Sequence, residues 1–111
     1  MARFGLIVSA DMSKTLNNEN FPNLDAMIDP QDVWQVWQEI RGGVRPMRVA
    51  RAIFPDRPKG YVKATRQLGN YAANKATAMR CRLEGRISVA LQYESICDRI
   101  YSTLPDYAKL W

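Results

Sequence analysis

From Tyr61 to Leu83 the chain runs 23 residues without a proline. Within that run Tyr61, Ala64, Leu68, Ala72, Ala76, Met79 and Leu83 recur at steps of three or four. The spacing lays seven apolar side chains along one stripe of a single long amphipathic helix, and such a stripe must be covered by something. Lys63, Arg66, Gln67, Asn70, Asn74, Thr77 and Arg80 fall off the stripe and should face water. A chain of 111 residues is one domain, burying about 65% of the surface that its unfolded form exposes. Gly85 breaks the run, and a further helix is expected from Ile87 to Leu104. It should bury Ile87, Ala90, Cys97, Ile100 and Leu104, with Pro105 as its stop. Gly69 lies inside the long helix, where glycine costs roughly 1 kcal/mol relative to alanine. A close crossing by another helix would account for it.

Two shorter helices are expected upstream. Asp29 suits an N-cap, Pro30 the first helical position, and Ile28 and Val33 have the spacing of a hydrophobic staple. That helix should run from Pro30 to about Arg41, bury Val33, Trp34, Trp37 and Ile40, and end at Gly42-Gly43. Pro46 opens the next, to about Phe54, with Met47, Ala50, Ile53 and Phe54 inside and Pro55 closing it. Residues 55–60 read as a rigid turn. Residues 2–9 alternate imperfectly and suggest one short strand, whose backbone must pair with a second copy, a partner, or lie as an extended arm. A homo-oligomer through residues 1–9 follows as an expectation. Residues 10–28 read as a loop anchored by Phe21, Leu24 and Met27, and Tyr107, Leu110 and Trp111 should dock back on the core. The expected fold is mainly α, about four helices around one core, with a long C-terminal helical hairpin and an N-terminal extended arm or short strand. Its single domain divides into an arm and loop (1–28), a helix pair (29–60) and the hairpin with its docked C-terminus (61–111).

Charge is distributed unevenly. Between Arg41 and Arg86 twelve cations stand against only Asp56 and Glu84, or +10. The first 40 residues carry −4 and the last 25 carry −1, which recovers the overall +5. A cationic field so concentrated faces phosphate, an acidic protein or an anionic surface. No apolar run approaches the roughly 18 residues that span a bilayer. The first nine residues lack the long apolar region and cleavage site of a signal peptide, so an intracellular, cytoplasmic setting is expected.

The chain has no histidine, which removes the commonest general base, Ser-His and Cys-His pairs and the usual zinc sites. Cys81 and Cys97 flank Gly85 by four and twelve residues. On a hairpin turning at Gly85 they would stand about 12 Å apart in height, at ~1.5 Å per residue. That exceeds disulfide reach, and two buried free thiols are expected. Glu94 and Asp98 form an i,i+4 carboxylate pair, but neighbouring basic surface explains them without catalysis. The expectation is a protein that is not an enzyme and holds neither metal nor cofactor.

Two constellations point toward nucleic acid. One is a helix-turn-helix over Pro30–Phe54, whose second helix presents Arg45, Arg48 and Arg51. Arginine outnumbers lysine eleven to five, and its planar fork suits guanine or phosphate. The simpler reading of those arginines is a solvated face. The other constellation is the turn bearing Arg57 and Lys59, leading into Lys63 and Arg66 at the start of the long helix. Tyr61 beside it either stacks on a base or begins the core. The candidate site is therefore Arg45, Arg48, Arg51, Arg57, Lys59, Lys63 and Arg66, with nucleic acid, DNA before RNA, as partner. The alternative is a protein-interaction or virion-assembly module that meets an acidic protein.

Leu68-Gly69 and Tyr71, then Gly85 followed by Ala90 and Tyr93, resemble one unit of a tetratricopeptide-type helical hairpin. Such repeats need neighbours and there is no second copy, so a plain antiparallel pair is the simpler reading. The run Tyr93-Glu94-Ser95-Ile96-Cys97-Asp98-Arg99-Ile100-Tyr101, with Leu104-Pro105 and Trp111, is similar to short uncharacterised proteins of tailed phages. That resemblance implies a phage-derived protein of the host cytoplasm and carries no functional residues across.

Overall fold

In a computed structural model that describes residues 16–41 and 46–111, the apolar stripe lies on one continuous helix at the centre of the molecule. Four helices follow in order: α1 (Pro30–Arg41), α2 (Pro46–Ile53), α3 (Tyr61–Leu83) and α4 (Ile87–Thr103). Short 3-10 turns at Leu24–Ala26 and Asp106–Ala108 flank them. Among the described residues there is no strand, and the expected strand at 1–9 and the Gly42–Arg45 connection lie outside them. No helix among the described residues is long and apolar enough to cross a membrane.

Asp29 caps α1 as its position implies. Its Oδ1 accepts the Gln31 amide at 2.9 Å, and its carbonyl accepts those of Asp32 and Val33 at 3.1 and 3.4 Å. The expected staple does not form, because Ile28 is 93% exposed while Val33 is fully buried. The turn at Leu24–Ala26 seats Leu24 in the core and Met27 against it, which leaves Ile28 outside. Val33, Val36 and Ile40 form the buried side of α1. Trp34 and Trp37 flank it half-buried, stacked on each other with ring centroids 4.4 Å apart.

α1 and α4 both pack along α3, and α2 touches it as well, over a smaller area. Gly69 marks the α1 crossing. A Cβ there would lie 3.0 Å from Ile40 Cγ2 and 3.6 Å from Arg41 Cγ, so an added side chain would press on Ile40 and push it aside by a few tenths of an ångström. Along the stripe, Ala64, Leu68, Ala72 and Ala76 are buried and Tyr61 and Met79 are half-buried. Leu83 departs from expectation at 75% exposure, and so does Ile87 at 45%. The cause is length: α1 has 12 residues against 23 in α3. At 1.5 Å per residue that is about 18 Å against about 34 Å, so the far end of the hairpin outruns its cover. Met47, expected inside, is 42% exposed, because Val49, Ile53 and Phe54 take the core side of α2.

The hairpin turn closes α3 with two backbone bonds, Arg86 N–H to the Cys81 carbonyl (2.8 Å) and Gly85 N–H to that of Arg82 (3.1 Å). These are the two bonds of a Schellman ending. Both cysteines are buried and free. The Cys97 thiol donates to the Tyr71 carbonyl at 3.7 Å, and burial pushes it up to about 12, so it stays protonated. Asp25 ties the segment before α1 and the C-terminal residue Trp111 to α3. It accepts the Tyr71 hydroxyl at 2.6 Å and the Trp111 indole N–H at 3.0 Å, with Lys75 Nζ 3.5 Å away. Trp111 stacks on Phe21 and meets Tyr71 edge-on, so the C-terminal segment docks as expected.

Candidate nucleic-acid interface

Residues 48–66 carry the candidate site on one short stretch of helix, turn and helix. α2 buries Ala50 and Ile53 against α3, which leaves Arg48 and Arg51, three residues apart, on its exposed side. The chain then reverses through two successive turns, closed by Arg57 N–H to the Phe54 carbonyl and Tyr61 N–H to that of Pro58, both 3.0 Å. Gly60, at φ +81, supplies the left-handed residue that the second turn requires. α3 then buries Ala64 and Leu68 and presents Lys63 and Arg66 to solvent. Arg57 and Lys59, on the turn, are exposed as well. Arg45 lies outside the described residues.

Six cations thus share this stretch with one acid, Asp56. None of the six forms an ion pair with a described residue. The cations beyond residue 66 differ. Lys75 pairs with Asp25, Arg82 with Glu94 across the hairpin, Arg86 with Glu84 at 3.7 Å and Lys109 with Asp106, which leaves Arg80 and Arg99 without a described ion pair. The sequence-level block of +10 therefore separates into an end with free charge and an end where charge is largely balanced. An exposed ion pair is worth little to stability, but it does cancel the local field that a polyanion would feel.

Arg57 stands out within the free-charge stretch. Its φ of 50° places a non-glycine side chain in the left-handed region, which costs about 1 kcal/mol. Its amide is used by the turn, and its side chain meets no described carboxylate. The N-terminus of α3 adds to the local positive potential: no side chain caps it and no acid lies in its first turn. Tyr61 is half-buried against the core, which makes it a core residue at the rim of the site.

Tyr107, expected only to dock back on the core, also contributes to this stretch. Its ring meets Phe54 edge-on at 5.2 Å and its hydroxyl donates to the Lys59 carbonyl at 2.8 Å. The docked C-terminal segment thereby pins the turn that carries Arg57 and Lys59. Only its apolar character was visible beforehand, because the partner carbonyl lies 48 residues away. The other site considered, Glu94 with Asp98, is not a shared-proton pair: Glu94 is held by the Arg82 guanidinium through both carboxylate oxygens. That hydrogen bond draws the Glu94 carboxyl below its usual range. Comparison of the chain with family models, with curated proteins and with solved structures finds no match to any of them.

Proposed function

We propose that this chain is a non-enzymatic nucleic-acid-binding protein, an accessory or regulatory factor of phage type, that grips the phosphate backbone through residues 48–66. The observation that carries the reading is six exposed cations on α2, the turn after it and the first residues of α3, none paired with a described residue. Cations without an internal partner give up no protein contact on meeting phosphate, and each contact releases counterions from the polyanion. The strained Arg57 supports the same reading, since glycine would hold that backbone at lower cost and yet bring no charge. α2 spans only eight residues, so its Arg48 and Arg51 serve phosphate contacts that fix orientation rather than an extended base-reading surface.

The test is a titration of the full chain with duplex and single-stranded oligonucleotides at two salt concentrations, run beside light scattering. Duplex binding should weaken with salt at a log–log slope of roughly −4 to −5, as for four to six phosphates neutralised. Oligonucleotides left unbound at low salt would overturn the proposal and turn the search to an acidic protein.

A further inference from the structure

The far end of the hairpin carries the opposite character to the basic stretch. Leu83, Ile87 and Leu91 are 75%, 45% and 53% exposed. Ile87 and Leu91 share one side of α4 at i,i+4, and only residues 84–86 separate Ile87 from Leu83. Their exposed areas sum to roughly 300 Å², the lower end of what the largest apolar patch on a monomer reaches. The surrounding charge is balanced, Arg82 by Glu94 and Arg86 by Glu84. Farther along α4 the exposed positions Ser95, Asp98, Arg99 and Ser102 are polar, so the apolar surface is confined to the tip.

We propose that a second copy of this chain docks here, tip against tip about a two-fold axis. The apolar residues would oppose one another, and Glu84 of each copy would meet Arg86 of the other. A two-fold contact uses the same patch on both molecules and must therefore be self-complementary. One acid and one base on either side of Gly85, both more than half exposed and only loosely paired at 3.7 Å, meet that requirement. A polyanion or an anionic membrane would instead demand free cations, and here only Arg80 lacks a described partner. Two such patches bring about 600 Å² of apolar surface together before the charged rim is added, well short of a stable interface, so the dimer is weak and concentration-dependent. The inference stands independently of nucleic-acid binding.

Sedimentation velocity on the full chain, from ~10 µM to ~1 mM, tests it. The weight-average coefficient should climb from monomer toward dimer across that range. Leu91→Asp, at an exposed position, should raise the dissociation constant more than tenfold with helicity unchanged. Glu84→Arg and Arg86→Glu should each abolish association alone, because like charges then face each other across the axis. Mixing the two variants should restore a heterodimer, since positions 84 and 86 again oppose with opposite sign. Both charge variants are at the surface, so this mixing result stands even if Leu91→Asp fails to fold. A chain monomeric at every concentration, association untouched by Leu91→Asp, or a mixture no more associated than its components would each overturn the proposal. The second of these would point to another face, residues 1–9 among them.

Discussion

Arg57 and Asp25 show how single residues divide between function and stability. Arg57 occupies a left-handed backbone position without a described ion pair. Arg57→Gly should therefore leave the melting temperature unchanged or raise it by a few degrees, while duplex affinity near 0.1 M salt falls about five- to tenfold, one phosphate contact's worth. Calorimetry and an oligonucleotide titration on the same variant check this; a lower melting point with full affinity would make Arg57 a structural residue. Asp25 is the converse case. Burial works to raise its carboxyl, but the Tyr71 and Trp111 hydrogen bonds and the Lys75 charge outweigh it and hold the group below the usual range. The stability it lends is in place above the ordinary aspartate value of about 4 and is lost as pH falls through its lower folded value. Glu39, raised by burial, works in the opposite sense, so the wild type alone would blur the effect. Asp25→Asn isolates it. Asp25 is half exposed. Screening therefore discounts its hydrogen bonds, and at neutral pH the variant should lose about 1 kcal/mol. The difference should close as pH falls through that lower folded value; a gap independent of pH would assign the loss to packing rather than to charge.

At the scale of elements, the helix ends were legible because their signals are local. Asp29 with Pro30 starts α1, Pro46 starts α2, Pro55 follows soon after its end, and Gly85 divides α3 from α4, each within a residue of expectation. Gly69 was legible for the same reason, since an unfavourable residue mid-helix implies a close neighbour, here Ile40. Gly69→Ala should be nearly neutral, because about 1 kcal/mol of helix propensity offsets the tight contact with Ile40. Gly69→Leu cannot be accommodated in that way and should destabilise by about 2 kcal/mol or more, as overpacking does. Equal stability of the leucine variant in urea unfolding would mean that α1 does not depend on this crossing. What the elements concealed is which parts of a stripe are covered. Leu83 and Ile87 continue the periodicity of buried neighbours, yet their burial depends on how far α1 reaches, and periodicity carries no information about that.

Across the whole molecule, the candidate site was visible as a concentration of charge but not as a boundary. Counting residues placed Arg82 and Arg86 in the same block as Arg48 and Arg51. What separates them is pairing across the fold: Arg82 meets Glu94 12 residues away, and Lys75 meets Asp25 because Tyr71 and Trp111 draw that carboxylate onto α3. Such contacts are set by the packing of α3 against its neighbours, and no spacing rule within one element reveals them. The pinning of Lys59 by Tyr107 was hidden for the same reason.

The central claim is that free cations at residues 48–66, rather than the cationic block as a whole, carry binding. The most direct measurement compares the salt dependence of duplex affinity for two triple variants of equal charge change. Arg48→Gln with Arg51→Gln and Arg66→Gln removes three cations that have no described partner, all exposed and away from the buried side of α2 and α3. The log–log slope should flatten by nearly three units, at ~0.9 per phosphate contact. Arg80→Gln with Arg82→Gln and Arg86→Gln removes the same charge from the end where Glu94 and Glu84 already balance two of the three. There the slope should change by less than about one unit. Equal flattening by both triples, in variants with unchanged helicity, would contradict the account and leave only diffuse attraction.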